Sequence, residues 1–321
     1  MTDAIIARHL RKRYGAVQAV ADVSFTVTEG EVVCLLGPNG AGKSTTTRIL
    51  TTLTRADGGS ATVAGHDVTA QPQSVRATVG YIAQHAGTDA YLTGRENLLV
   101  QSAAQGLRRA VAKRRAAELL DRVHLTSAAD RLVATYSGGM RRRLEIVMGM
   151  VHNPSVIFLD EPTTGLDPEA RADLWSELNN LGQQQSLTVL LTTHYLEEAD
   201  RLADRVVIID RGRVIAEGAP EVLKSRLAGD SVTVEVAGRP ATQDILAAIR
   251  EVDSRAVSVA GNRVVAHVQH GSHALPAIVT GLEATGLHVT SASVTRPSLD
   301  DVYLHYTGRR LTDDNTRPDR P

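Results

Sequence analysis

Gly37-Pro38-Asn39-Gly40-Ala41-Gly42-Lys43-Ser44-Thr45 decides the fold of this chain. The stretch has the form G-x-x-x-x-G-K followed by Ser or Thr, a loop that cradles phosphate. Glycines let backbone N–H groups converge on phosphate oxygens. A helix leaving the loop adds partial positive charge at its N-terminus. Lys43 can reach the β- and γ-phosphates of a nucleotide, and the Ser44 hydroxyl can ligate Mg²⁺. The flanks agree with this reading. Glu31-Val32-Val33-Cys34-Leu35-Leu36 reads as a buried strand entering the loop, and Thr45 to Leu53 as the helix leaving it.

A second stretch turns nucleotide binding into hydrolysis. Val156-Ile157-Phe158-Leu159 is an apolar run suited to a buried parallel strand, and it ends in Asp160-Glu161-Pro162. Acidic residues at the carboxyl end of such a strand sit where open α/β sheets bind ligands. Asp160 is the candidate to hold Mg²⁺, directly or through water. Glu161 is the candidate to orient or deprotonate the attacking water. Pro162 stops the strand, having no N–H for the ladder. Paired acids also cap strands and helices; the phosphate loop upstream gives this pair its chemical reading.

Tyr136-Ser137-Gly138-Gly139-Met140 narrows the choice. With these residues in place, the chain resembles the ATP-binding subunit of an ABC transporter, motif by motif over roughly the first 220 residues. Ser137-Gly138-Gly139 resembles the signature loop. Tyr14, in Lys12-Arg13-Tyr14-Gly15, resembles the aromatic that stacks on adenine. Gln84, after Val79-Gly80-Tyr81-Ile82, resembles the Q-loop glutamine. Gly165-Leu166-Asp167 resembles the D-loop, and His194, after Thr192-Thr193, the switch histidine. The resemblance implies a P-loop NTPase of the α/β class with a helical subdomain, an ATPase that uses ATP and Mg²⁺. It implies ATP contacts from Tyr14, from Gly37, Pro38, Asn39, Gly40, Ala41, Gly42, Lys43, Ser44 and Thr45, and from Gln84. Ser44, Gln84 and Asp160 are the implied Mg²⁺ ligands, and Glu161 and His194 the implied catalytic residues. Asp167 can also simply cap the helix that starts near Pro168.

The signature departs from its commonest form, Leu-Ser-Gly-Gly-Gln, with Tyr136 for the leucine and Met140 for the glutamine. The serine and the glycine amides, which make the phosphate contacts in the family, are intact. Read physically, Ser137 is an N-cap, and the two glycines expose N–H groups at a helix start. Met140, Leu144, Val147, Met148 and Val151 then recur at helical spacing. The resemblance places this anion site far from the chain's own phosphate loop. Two copies are therefore expected to sandwich two ATP molecules head to tail.

Composition bounds the rest. At 321 residues, two domains are expected. A net charge of −1 gives no footprint for nucleic acid, and none is expected as a partner. The single cysteine, Cys34, rules out an internal disulfide and suits a reducing compartment. No apolar run approaches the roughly 18 residues of a membrane span, and no secretory signal opens the chain. The membrane part of such a transporter is then expected to be a separate permease polypeptide, with this subunit peripheral on the cytoplasmic side of the membrane.

The pattern divides the chain into an ATP-binding domain over 1–227, with its helical subdomain at about 85–150, an accessory α+β domain over 231–306, and a disordered polar tail over 309–321. Arg108, Arg109, Lys113, Arg114 and Arg115 make a basic run that reads as a solvated helix face. After Pro220, the order strand (Ser231 to Val236), helix (Thr242 to Val252), a hairpin across Gly261-Asn262, helix (His273 to Thr285) and strand (His288 to Val294) predicts a ferredoxin-like sandwich. His267, His270, His273 and His288 match no tetrahedral ligand spacing. Pro297-Ser298-Leu299-Asp300-Asp301-Val302-Tyr303-Leu304 resembles the C-terminal segment of drug-efflux ATPases of the daunorubicin-resistance type. The expected function is ATP hydrolysis powering an export-type ABC transporter. The alternatives are an importer ATPase and a non-transport ABC ATPase, the latter usually marked by two cassettes or a coiled-coil insertion.

Overall fold

Apolar runs flanked by glycine-rich turns build a wide twisted sheet. The fold is seen in a computed structural model, which describes residues 2–84, 87–185, 187–227, 229–238, 243, 245, 249, 254–309 and 311. The chain divides into two compact units, Met1–Ala219 and Pro220–Thr312. The division thus falls ahead of the short helix after Ala219, and that helix packs with the second unit.

In the first unit the order is β1 (Asp3–Tyr14), β2 (Val17–Thr28), β3 (Val32–Leu36), α1 (Lys43–Leu50), β4 (Gly58–Val63), β5 (His66–Asp67), α2 (Pro72–Thr78) and β6 (Val79–Ile82). Then come α3 (Gly94–Ala104), α4 (Arg109–Arg122), α5 (Gly138–Met148), β7 (Val156–Asp160), α6 (Pro168–Gln185), β8 (Thr188–Thr193), α7 (Leu196–Leu202), β9 (Arg205–Asp210) and β10 (Arg213–Gly218). The strands form one sheet in the order β5-β4-β1-β2-β10-β9-β3-β8-β7-β6. The pairs β9–β3, β3–β8, β8–β7 and β7–β6 are parallel. Every residue of β7 and β8 is buried, as expected for strands covered on both faces. The antiparallel ladder of β1, β2 and β4 completes the sheet, and Phe25, Val27, Ile5 and Val63 join its core to Val33, Leu35, Ile49 and Phe158.

Four loops matter for function, and each leaves the carboxyl end of one of four adjacent strands. The phosphate loop follows β3, His194 follows β8, Glu161 follows β7 and Gln84 follows β6. An open parallel sheet binds ligands along that edge. The helix after the phosphate loop starts at Lys43 and ends at Leu50, earlier than the expected Leu53. It stops because Thr52 takes a left-handed conformation (φ 63°) while the Leu53 and Thr54 N–H groups turn back to the Arg48 carbonyl.

Helices α3, α4 and α5 lie between β6 and β7 and pack on one another through Leu98, Ala116, Leu119, Leu120, Leu144 and Val147, all buried. The basic run lies on α4 and just before it. Arg108, Arg109, Lys113 and Arg114 are exposed, and Glu118 pairs with Arg114 and Arg115 along the helix. Exposed pairs of this kind add little stability.

The second unit runs α8 (Pro220–Ser225), β11 (Asp230–Val236), β12 (Ser254–Ala260), β13 (Arg263–Val268), α9 (Gly271–Ala284), β14 (Val289–Thr295) and α10 (Leu299–Thr307). Its sheet is antiparallel in the order β12-β13-β11-β14. Counted within the unit this is 2-3-1-4, the ferredoxin-like arrangement expected from the sequence. One face packs Val232, Val234, Val264 and Ala266 against Ile278 and Leu282 of α9. Gly261, at φ 66°, makes the tight hairpin between β12 and β13. Ser298 and Asp301 form a capping box that starts α10. The expected helix over Thr242–Val252 and the expected tail over 309–321 lie mostly outside the described residues.

Candidate functional site

The phosphate loop is built so that two of its glycines admit no substitute. A Cβ at Gly37 would strike the Ile209 carbonyl, and one at Gly42 the Ala19 carbonyl. Gly42, at φ 105°, is also the N-cap of α1, a conformation that side chains resist. The loop therefore wraps closely over the end of the sheet. Lys43 is buried, and its ammonium donates to the Gly37 and Pro38 carbonyls at 2.7 and 3.1 Å. Burial pushes the Lys43 pKa down, against the opposing pull of Glu161 and Asp160.

Asp160 ends β7 fully among oxygen donors. Ser44 Oγ donates to its Oδ1 at 2.8 Å, Thr192 Oγ1 to the same oxygen at 2.7 Å, and Tyr81 OH lies 3.4 Å from Oδ2. Ser44 and Asp160 thus present hard oxygens side by side next to the phosphate loop. That donor set fits Mg²⁺, which takes one or two protein oxygens and completes its shell with phosphate and water.

Glu161 is the hub. Its Oε2 accepts from Gln84 Nε2 and from Thr164 Oγ1, each at 3.1 Å. Its Oε1 lies 3.3 Å from His194 Nδ1 and 3.6 Å from Lys43 Nζ. Burial alone would raise the carboxyl; the His194 contact, the Lys43 charge and the Thr164 hydroxyl outweigh it and hold Glu161 below the ordinary carboxylate value. The side chain is therefore ionised near neutral pH and able to take a proton. Its backbone is left-handed (φ 47°), which costs on the order of 1–3 kcal/mol in a residue other than glycine. The Thr192 carbonyl and hydroxyl both accept its N–H, at 3.1 Å each.

Lys43, Ser44, Gln84, Asp160, Glu161 and His194 thus meet in one place. Gln84 faces Glu161 there, rather than the Ser44–Asp160 pair. Tyr14 stands apart at the end of β1, 45% exposed, with Lys12 Nζ 5.4 Å from its ring centre. An exposed ring at a strand end is free to stack on a planar ligand.

Ser137, Gly138 and Gly139 open α5. The Ser137 hydroxyl accepts from the Met140 N–H at 3.2 Å, as an N-cap does. A Cβ at Gly139 would lie 3.3 Å from Ala170 Cβ, so the signature packs on the helix after Asp167. Asp167 Oδ1 in turn accepts from the Ala170 N–H at 2.9 Å. The signature's Tyr136 is explained by its surroundings. It points into the helical subdomain, where its hydroxyl donates to the Ala128 carbonyl at 2.7 Å and lies against Gly94.

Thr164, Thr192 and Arg142 escaped the sequence reading. Thr164 and Thr192 sit beside recognised motifs, and only the geometry gives their hydroxyls a role. Arg142 lies off the apolar stripe of α5, on the face it shares with Glu145, and only its burial sets it apart from Arg141 and Arg143.

Known proteins share the fold and the two sequence domains. Residues 20–164 match the family model described as ABC transporter, and residues 218–307 match that of the ATP-binding protein DrrA1-3-like, C-terminal domain. The daunorubicin resistance ATP-binding protein DrrA2 of Streptomyces coeruleorubidus is 46% identical over 310 residues, 96% of each chain. The doxorubicin resistance ATP-binding protein DrrA of Mycobacterium tuberculosis (strain ATCC 25618 / H37Rv) is 42% identical over 95% of this chain and 93% of that one. The linearmycin resistance ATP-binding protein LnrL of Bacillus subtilis (strain 168) is 36% identical over 96% and 99%. Among solved structures, an ATP-binding subunit of an ABC transporter superposes with a TM-score of 0.61 at 32% identity, covering 70% of this chain and 92% of its own. The ADP conformation of MJ1267, an ATP-binding cassette, gives 0.64 at 25% identity, covering 69% and 93%.

The first unit is thus an ABC ATPase domain. The chain belongs to the ABC-transporter ATP-binding subunits that carry the DrrA1-3-like C-terminal domain. It binds and hydrolyses ATP and works with a membrane permease. Among the described residues, no helix is long and apolar enough to cross a membrane.

Proposed function

We propose that this subunit drives export of a drug-like small molecule, and that Glu161 is the general base of its ATP hydrolysis. The observation that carries the chemistry is the convergence of Gln84, Thr164, His194 and Lys43 on the Glu161 carboxylate. The phosphate loop, Lys43 and the N-terminus of α1 bind the phosphates, with Tyr14 under the adenine. Ser44 and Asp160 would hold Mg²⁺, which when bound would neutralise charge on the β- and γ-phosphates. Glu161 orients the attacking water and accepts its proton, while His194 keeps the carboxylate ionised and aimed.

Ser137, Gly138, Gly139 and Asp167 serve a second copy. Two chains close head to tail over two ATP molecules, and hydrolysis reopens them. The subunit sits at the cytoplasmic face of the membrane against its permease, and the second unit supports docking or dimer contact without chemistry of its own. Export is supported by the relatives, several named for resistance or export, that align along nearly the whole chain including the second unit. Inside-out vesicles containing the subunit and its co-encoded permease should accumulate an anthracycline when given ATP. Accumulation without ATP, or uptake only in right-side-out vesicles, would refute the export reading.

A further inference from the structure

The buried guanidinium of Arg142 lies on α5, the helix that Ser137 caps, with 7% of the residue exposed. Its Nε donates to the Pro162 carbonyl at 2.8 Å. One terminal nitrogen donates to the Ala83 carbonyl at 2.8 Å, and the other to the Asp160 carbonyl at 3.4 Å. Glu145, itself buried, meets the fork at 2.8 Å. Asp160 and Pro162 flank Glu161. Ala83 precedes Gln84, whose amide reaches the Glu161 carboxylate.

One planar cation therefore grips the backbone on both sides of Glu161 and at the root of the Gln84 segment. The left-handed turn at Glu161 persists only if its surroundings over-determine it. Thr192 holds the Glu161 N–H from one side, and Arg142 holds the two neighbouring carbonyls from the other. A lysine cannot substitute, because a single ammonium cannot reproduce the planar fork that spans these carbonyls.

We infer that Arg142 is a positioning residue that aims Glu161 and Gln84 by fastening their backbone to the signature helix. This rests on Glu161 being the base. The grip also makes the signature and the hydrolytic carboxylate of one chain a single rigid piece. A displacement of Ser137 by a partner's nucleotide is then passed to the chain's own Glu161.

Two variants test this in the complex with its permease: Arg142→Lys, and the pair Arg142→Gln/Glu145→Gln, which removes both partners and strands no buried charge. For each variant, kcat and KM for ATP, nucleotide affinity and Tm are measured, alone and in a Glu161→Gln background. Both variants should lower kcat roughly a hundredfold while KM and ATP affinity stay within about twofold. Neither should lower the residual rate of Glu161→Gln further, since residues acting as one unit are not additive. Parent-level turnover in both variants overturns the inference, and so does an additive loss on Glu161→Gln. Parallel losses of kcat, ATP affinity and Tm overturn it as well, because loss of packing alone gives that pattern. A Glu161→Gln enzyme that turns over at the parent rate removes the base assignment and this inference together. A defective Glu161→Gln beside a normal Arg142→Lys removes only the role of Arg142.

Discussion

Ser44 Oγ donates to Asp160 Oδ1 at 2.8 Å, although the two residues lie 116 positions apart in sequence. The bond joins the start of α1 to the end of β7 and makes the floor of the nucleotide site one polar surface. Around it stand the residues on which the following outcomes depend.

Lys43→Ala removes the only side-chain ammonium inside the phosphate loop. ATP hydrolysis by the complex should fall to background, and ATP affinity should drop by tenfold or more, since about 1.4 kcal/mol corresponds to one decade. Near-normal turnover would refute the assignment of the loop.

Glu161→Gln keeps the size of the side chain and removes the base. Turnover should fall by roughly a hundredfold or more while ATP still binds. The closed pair of chains should then accumulate in ATP and elute as a dimer in gel filtration. A variant that binds ATP and stays monomeric would count against Ser137 acting across two chains.

The same variant reports the lowered Glu161 carboxyl. A carboxyl held below its ordinary value of 4.5 when folded contributes stability above that value. The contribution is lost as pH falls through the lowered folded value. The Tm of the parent should therefore fall relative to that of Glu161→Gln as pH goes from about 5 to about 3. A difference independent of pH over that range would show that the neighbours of Glu161 do not hold it ionised.

Ending the chain at Ala219, where the two units divide, should leave ATP affinity close to that of the full chain. Recovery of the permease with the truncated subunit should decline. A folded truncated protein that has lost ATP binding would show that the second unit helps to build the nucleotide site.

Motifs whose chemistry depends on adjacent residues were legible in the sequence. Gly37 to Thr45 and Asp160-Glu161 carry their meaning in spacing, and the hydrophobic runs placed β3 and β7 with small errors at their ends. The ferredoxin-like class of the second unit was legible too, from its strand–helix alternation, and the Gly261-Asn262 turn fixed the β12–β13 hairpin; the placing of β11 between β13 and β14 rests on non-local pairing. Contacts that fold distant segments together were not legible. Nothing local to Thr192 announces its bonds to Asp160 and Glu161 at the end of β7, and Arg142 differs from Arg141 and Arg143 only by facing inward. The helix α1 ends at Leu50, short of the expected Leu53, because threonine gives no warning of a left-handed turn at Thr52.

Tyr136 leaves a mark on the variation this chain can tolerate. Its hydroxyl occupies the space into which a side chain at Gly94 would grow, so substitutions at the two positions are coupled. A side chain at 94 has to displace the Tyr136 hydroxyl from its bond to the Ala128 carbonyl, so a substitution there costs more while tyrosine stands at 136 than after a smaller residue has replaced it.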